Sequence, residues 1–263
     1  MQKEISNYIL QLHEVAIGYP NKILHSNITA RFNKGEIIAV LGRNGSGKST
    51  LLRCISGLQK QLEGEVILYD KNLLEYSRQE ISRLISIVLS DNRKYAGMLT
   101  VQEIFELSRA PHTGWMHKIE NKDIEIIEEA LTFFKITAFA NRRLFTLSDG
   151  ELQTIMIARA FVQDTYIIAL DEPTSHLDIF NQADIFNQLK LLAKQFGKTI
   201  IIATHAIEQS LQIADTLLLL DNSNNHLIGK KEFIVNNGGI QQFFSSPNFE
   251  FDTYTMKFYQ KEN

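Results

Sequence analysis

The stretch Gly42-Arg43-Asn44-Gly45-Ser46-Gly47-Lys48-Ser49, continuing into Thr50, decides how the rest of the chain is read. It fits the pattern G-x-x-x-x-G-K-[ST]. The glycines let the backbone wrap so that N–H groups converge on phosphate oxygens, and the helix that follows adds the positive end of its dipole. Lys48 is expected to reach the β- and γ-phosphates of a nucleotide and the Ser49 hydroxyl to ligate Mg²⁺. Asn44, Gly45, Ser46, Gly47 and Thr50 line the same cradle. With glycine at roughly 7% of residues, chance should produce so stringent a pattern in about one chain in a hundred of this length. The apolar run Glu36–Leu41 reads as a strand ending at Gly42, and a helix is expected from about Lys48 to Ser56, the strand–loop–helix order that a phosphate loop demands.

Further along, Tyr166-Ile167-Ile168-Ala169-Leu170 is an apolar strand that ends in Asp171 and Glu172. Alone, this is a common way for a strand to leave a sheet. Beside a phosphate loop, Asp171 is placed to hold Mg²⁺ through water, and Glu172 to polarise a water beside the γ-phosphate as general base. ATP and Mg²⁺ are therefore the expected ligands.

The surrounding pattern fits an α/β protein. Ile9–Val15, Ile23–Phe32 and Glu65–Tyr69 read as strands in the first third. From about residue 91 to 161 the signal is helical. Thr100 with Glu103, and Ser77 with Glu80, have capping-box spacing, and Ile119–Thr132 carries an acidic side expected to face solvent. Then a helix over Ile179–Phe196, a strand over Thr199–Ala203, a helix over Ala206–Ile213 and a strand over Thr216–Leu220 alternate, which argues a parallel sheet covered on both faces. Beyond Asn222 the chain reads as polar and irregular. A single compact unit over residues 1–263 with a helical insertion is the economical reading.

Composition narrows the function. With 27 basic against 30 acidic side chains and a net charge of -3, the chain lacks the basic excess that neutralising a nucleic acid demands, so no nucleic-acid partner is expected. The one cysteine, Cys54, reads as a small buried thiol and permits no internal disulfide. Met1–Leu10 does not read as a secretory signal, and no apolar run approaches the roughly 20 residues of a membrane span. A membrane role is expected to come through a partner.

Between the two motifs lies Leu147-Ser148-Asp149-Gly150-Glu151, opening a helix expected over Glu151–Phe161. With this segment the chain resembles the ATP-binding cassette (ABC) ATPases, whose signature is written L-S-G-G-Q. The resemblance runs from about Tyr19 to Leu220, with motifs in the family's order. It implies a P-loop NTPase cassette with a mainly parallel core sheet, an N-terminal antiparallel β portion and an inserted helical subdomain. By the same resemblance, Tyr19 corresponds to the aromatic that stacks on adenine. Ser148 and Gly150 correspond to the residues that grip the γ-phosphate bound on the opposite subunit, Ser175-His176-Leu177-Asp178 to the D-loop at the dimer interface, and His205 to the switch histidine. Singly, Tyr19 reads as a packing aromatic, His205 as a capping histidine and Asp178 as a helix N-cap.

The implied mechanism is ligand-driven closure: two cassettes meet head to tail around two ATP molecules, and hydrolysis opens them. The implied partners are a second copy of the chain and integral-membrane permease subunits at the cytoplasmic face of the cell membrane. A periplasmic or lipoprotein substrate-binding protein is reached only indirectly. Two positions depart from the family. Ser90, after Ser86-Ile87-Val88-Leu89, stands where a Mg²⁺-ligating glutamine is usual, and Asp149 replaces a signature glycine; its carboxylate is expected to point away from the γ-phosphate. The segment Ser108-Arg109-Ala110-Pro111-His112-Thr113-Gly114-Trp115 looks like the stretch after the coupling-loop helix in importers of ferric siderophore, haem or cobalamin, although it also reads as a simple helix terminator. Alternatives are another importer, such as one for metal ions, and a low-turnover regulatory or non-transport ABC protein.

Overall fold

In the computed structural model, residues 8–90, 97–113, 118–175 and 177–261 are described. Gly114, Trp115, His176 and the expected start of the helical insertion at residue 91 lie outside them. The strand ending at the glycine loop is β3 (Ile37–Gly42), buried along its whole length. It has a parallel neighbour on each side, β8 (Thr199–Thr204) and β9 (Thr216–Leu220). The six-stranded sheet continues from β8 to β7 (Ile167–Asp171) and β6 (Ile85–Val88), also parallel. On the other side, β10 (His226–Lys230) pairs antiparallel with β9. Strands this apolar need cover on both faces, because water can reach neither side.

The first layer of cover is an antiparallel sheet, β1 (Tyr8–Tyr19), β2 (Lys22–Asn33), β4 (Glu63–Leu68) and β5 (Lys71–Asn72), in the order β2-β1-β4-β5. The turn Pro20-Asn21 joins β1 to β2, and both strands are longer than their alternation indicates. Ile38 and Val40 of β3 pack toward this layer, with Leu51 and Leu52 of α1 (Lys48–Ile55) beside them. Cys54 of α1 is fully buried, and that burial pushes its thiol up to about 11, so it is an inert packing group.

The second layer is helical. Ser77 caps α2 (Arg78–Leu84) and Thr100 caps α3 (Val101–Ser108), each through the capping box that its spacing indicates. After α4 (Ala110–Thr113) and α5 (Asn121–Phe133), α6 (Asp149–Val162) returns the chain to β7. The acidic side of α5 is not uniformly solvated as its pattern indicates. Asp123 is buried and its Oδ1 accepts from Arg109 Nε at 2.8 Å, and Arg109 Nη1 also donates to the Val162 carbonyl at 2.8 Å. Arg109, where α3 ends, is thus anchored on both α5 and the end of α6.

The third layer is the segment expected to be irregular. After α7 (Ile179–Phe196) and α8 (Ile207–Ile213) come α9 (Lys231–Asn236), α10 (Gly239–Phe244) and the hairpin β11 (Phe249–Asp252) with β12 (Lys257–Gln260). Ala39 and Leu41, the alternate residues of β3, pack with Leu217 and Leu219 against Ile234, Val235, Ile240 and Phe251. The tail therefore covers one face of the nucleotide-site sheet. Its polar composition hides this, since only a few of its apolar residues, Ile234, Val235, Ile240 and Phe251, are buried in that layer. No described helix is long and apolar enough to cross a membrane.

Candidate functional site

The ends of β3, β7 and β8 converge at one point. β3 delivers the glycine loop, β7 delivers Asp171 and Glu172, and β8 delivers Thr204 and His205. Asp171 pairs with Ala203 in the ladder, which fixes the two strand ends at the same height.

In the loop, Gly45 and Gly47 adopt φ of 82° and 92°, a region that side chains other than glycine rarely enter. A Cβ on Gly42 would meet Ser46 Oγ at 2.3 Å and the Leu220 carbonyl at 2.5 Å, whereas one on Gly45 would meet nothing within 4 Å. The loop is thus tight at its base and open at its crown. Lys48 is buried, with Nζ donating to the Gly42 carbonyl at 2.9 Å and the Arg43 carbonyl at 3.3 Å. Arg43 in turn donates to the Ser245 carbonyl of the tail at 3.2 Å.

Ser49 Oγ donates to Asp171 Oδ1 at 2.8 Å, joining two of the three residues expected to hold a metal, Ser90 being the third. Asp171 is only 2% exposed, and its carboxyl is pushed above its ordinary value by burial and by the Glu172 charge, against the opposing Ser49 hydrogen bond. A buried carboxylate beside a hydroxyl is an all-oxygen donor pair suited to a hard cation. No group of three or more His, Cys, Asp or Glu is placed to hold a metal among the described residues. The Ser49–Asp171 oxygen pair is of the kind Mg²⁺ takes, one or two protein oxygens with the shell completed by water and phosphate. Ser46 Oγ is buried with no hydrogen-bond partner among the described residues, as a donor reserved for a ligand would be.

Glu172 takes φ of 49°, a left-handed conformation costly for a residue with a side chain. The strain is held by its N–H, which donates to the Ala203 carbonyl at 2.7 Å, and by its carbonyl, which accepts from Ser175 N at 3.2 Å and Ser175 Oγ at 3.0 Å. Its carboxylate is gripped on both oxygens. Oε1 lies 3.3 Å from Lys48 Nζ, while Oε2 lies 2.8 Å from His205 Nδ1 and accepts from Thr204 Oγ1 at 3.2 Å. His205 is therefore not a capping histidine. Lys48, Ser49, Asp171, Glu172 and His205 form one connected cluster, to which Thr204 was missed as a member because a threonine at a strand end has no motif.

The other expected residues share no hydrogen bond with it among the described residues. Tyr19 is half exposed at the end of β1. Ser90 is exposed, two residues past the end of β6, at the edge of the sheet. Ser148 caps α6, accepting from Glu151 N at 3.3 Å, while Glu151 Oε2 accepts from Ser148 N and Oε1 pairs with Arg142 at 3.0 Å. Asp149 is the first residue of α6. Asp178 caps α7, accepting from the N–H groups of Phe180 and Asn181. Asn181 links the last two regions: its amide donates to Asp178 Oδ2 at 2.5 Å and packs against Gly150, whose missing side chain would meet it at 3.1 Å. Only the first turn of α7, where an asparagine follows an aspartate cap by three residues, could have singled Asn181 out.

The ABC transporter family model matches residues 25–175. The petrobactin import ATP-binding protein of Bacillus anthracis is 32% identical over 236 residues, covering 90% of this chain and 86% of that protein. The ferric enterobactin transport ATP-binding protein of Escherichia coli is 34% identical over 211 residues, 80% of this chain and 78% of that protein. Among solved structures, a dimeric bacterial ABC transporter cassette superposes with a TM-score of 0.72 at 26% identity, covering 84% of this chain and 98% of that one. The glycine loop, the carboxylate pair and the signature helix thus sit in a fold shared with these proteins, and the chain belongs to the ABC transporter family as an ATP-binding ATPase subunit.

Proposed function

We propose that this ATPase powers a bacterial importer of ferric siderophore, haem or cobalamin. It does so as a homodimer docked on integral-membrane permease subunits at the cytoplasmic face of the membrane, with a periplasmic or lipoprotein substrate-binding protein delivering the cargo. The observation that carries this reading is that relatives matching 80 to 90% of the chain are ATP-binding proteins of petrobactin import and ferric enterobactin transport. The dimeric cassette among the structural neighbours supports the homodimer. Residues 1–263 are read as one cassette, with about 91–161 as its helical insertion.

In this reading the loop N–H groups, Lys48 and Ser46 hold the phosphates, and Tyr19 meets the adenine. Ser49 and Asp171 hold Mg²⁺, with Ser90 as a further oxygen. When bound, Mg²⁺ neutralises charge on the β- and γ-phosphates. Glu172 takes a proton from the attacking water, whose oxygen bonds to the γ-phosphorus as the bond to ADP breaks. His205 orients that carboxylate and faces the γ-phosphate. Ser148, Gly150 and Asp178 complete the site of the opposite copy.

The test is to tag the chain in its host, solubilise membranes in mild detergent and identify what co-purifies. A polytopic permease at about one chain per cassette supports the reading. Recovery only from the soluble fraction overturns it.

A further inference from the structure

We infer that His25 is a positioning residue for the nucleotide site, holding the peptide between Ser46 and Gly47 in the orientation that phosphate binding requires. His25 lies on β2, outside the motifs, and is fully buried beneath the glycine loop. Its Nε2 lies 2.9 Å from the Ser46 carbonyl oxygen. A carbonyl can only accept, so the imidazole donates, and the proton is on Nε2.

The consequence follows from peptide geometry. No peptide bond in the described chain is cis, so the Ser46 carbonyl and the Gly47 N–H point in opposite directions from one plane. Pinning the carbonyl against β2 aims the Gly47 N–H away from β2. That N–H belongs to the loop whose backbone donors cradle phosphate, directly ahead of Lys48. Without the pin, the peptide between two residues of such a loop is free to rotate, because Gly47, at φ of 92°, has no side chain to bar either orientation. The ring also walls the loop from outside: a Cβ on Gly47 would meet His25 Cδ2 at 3.4 Å, with Ile17 and Leu24 at 3.5 Å.

A packing role alone does not explain the residue. His25 Nδ1 is buried without a hydrogen-bond partner among the described residues. A leucine would fill the space without leaving a buried nitrogen unpaired, so the imidazole's gain is the bond to Ser46. The ring is also set edge-on to His226 of β10 at 6.2 Å between centroids.

The inference rests on the glycine loop being the nucleotide site. It is tested with His25→Leu, His25→Gln and His25→Asn, measuring affinity for a non-hydrolysable ATP analogue by calorimetry, steady-state ATPase and thermal midpoint. Glutamine can carry an N–H to the place of Nε2; asparagine is too short. The expected result is an affinity loss of about tenfold in the leucine and asparagine variants, the scale of one buried hydrogen bond. KM should rise in parallel, kcat should stay within about twofold, and the glutamine variant should be restored toward wild type. The loss falls on KM because His25 acts on the cradle and not on the attacking water. Wild-type affinity in the leucine and asparagine variants overturns the inference, as does a glutamine variant as weak as asparagine. If the leucine variant does not fold, the glutamine–asparagine comparison decides alone. Lys48→Ala is the control: if it leaves affinity intact, the nucleotide-site reading fails and the inference with it, whereas loss there with no loss at His25 refutes the inference only.

Discussion

Glu172 Oε2 lies 2.8 Å from His205 Nδ1, and the other oxygen of the same carboxylate lies 3.3 Å from Lys48 Nζ. The side chain best placed to take a proton from water is thus held by the residue that follows β8 and by the residue that opens α1. Both contacts fix its orientation before any water arrives.

Glu172→Gln keeps the shape and removes the proton acceptor. ATP turnover is expected to fall by about 100-fold or more while ATP binding persists. A dimer stabilised by ATP on a sizing column should appear with it. Turnover at the wild-type rate would remove Glu172 from its role.

Asp171→Asn separates stability from activity. Because the fold raises the pKa of this carboxyl above its ordinary 3.8, the group stabilises the protein at low pH and ceases to do so as pH rises through the raised value. At neutral pH the ionised carboxylate is a burden that asparagine lifts, and Ser49 Oγ can still donate to the amide oxygen. The variant should therefore melt at a higher temperature than wild type near pH 7 and lose Mg²⁺-dependent ATPase. A lower melting temperature would contradict the stated balance. Chelating Mg²⁺ from the wild type should abolish turnover in the same assay.

Glu36 shows the opposite sign. Burial pulls its carboxyl up, but hydrogen bonds from Lys230, Thr216 and the Asn33 N–H, with the Lys230 charge, hold it below its ordinary 4.5. Its contribution is present above that value and is lost as pH falls through the lower folded value. Glu36→Gln should lower thermal stability near pH 7, and the difference from wild type should shrink in acid. A difference that stays constant from pH 7 down to strongly acidic solution would show that the charge is not what matters there.

Asp123→Ala leaves the Arg109 guanidinium buried without its carboxylate. Breaking a buried pair from one side costs about 3–5 kcal/mol, which corresponds to a drop of roughly 6–20 °C in melting temperature for a chain near this size. Asp123→Leu combined with Arg109→Met should recover much of it. Differential scanning calorimetry distinguishes the two outcomes, and a single variant that melts with the wild type would show the pair to be idle.

The nucleotide site was readable because its chemistry is local. Gly42 to Ser49 carry their geometry in consecutive residues, and Asp171 with Glu172 end a strand whose apolar run is unmistakable. What escaped depends on residues far apart in the chain. His25 bonds to a backbone atom 21 positions away. Asp123 looked like one more charge on a solvated helix, yet Arg109 reaches it from the end of α3. Beyond Asn222, polar residues outnumber the few apolar ones, and only the packing of Ile234, Val235, Ile240 and Phe251 on β3 and β9 reveals an ordered layer. Asn181 touches Gly150 across two helices, a contact that no motif spacing encodes.

The order of strands in the central sheet also dictates when the protein can assemble on a ribosome. Ile37 of β3 is paired with Ile200, and Ile38 with Thr216, so the strand that mounts the glycine loop is synthesised about 160 residues before either neighbour exists. At about 5–20 residues per second, that is a wait of roughly 8–30 seconds with its ladder groups unpaired. A message cut short between codons 50 and 199 therefore yields a polypeptide with every residue of the phosphate loop and neither of the strands that flank its own.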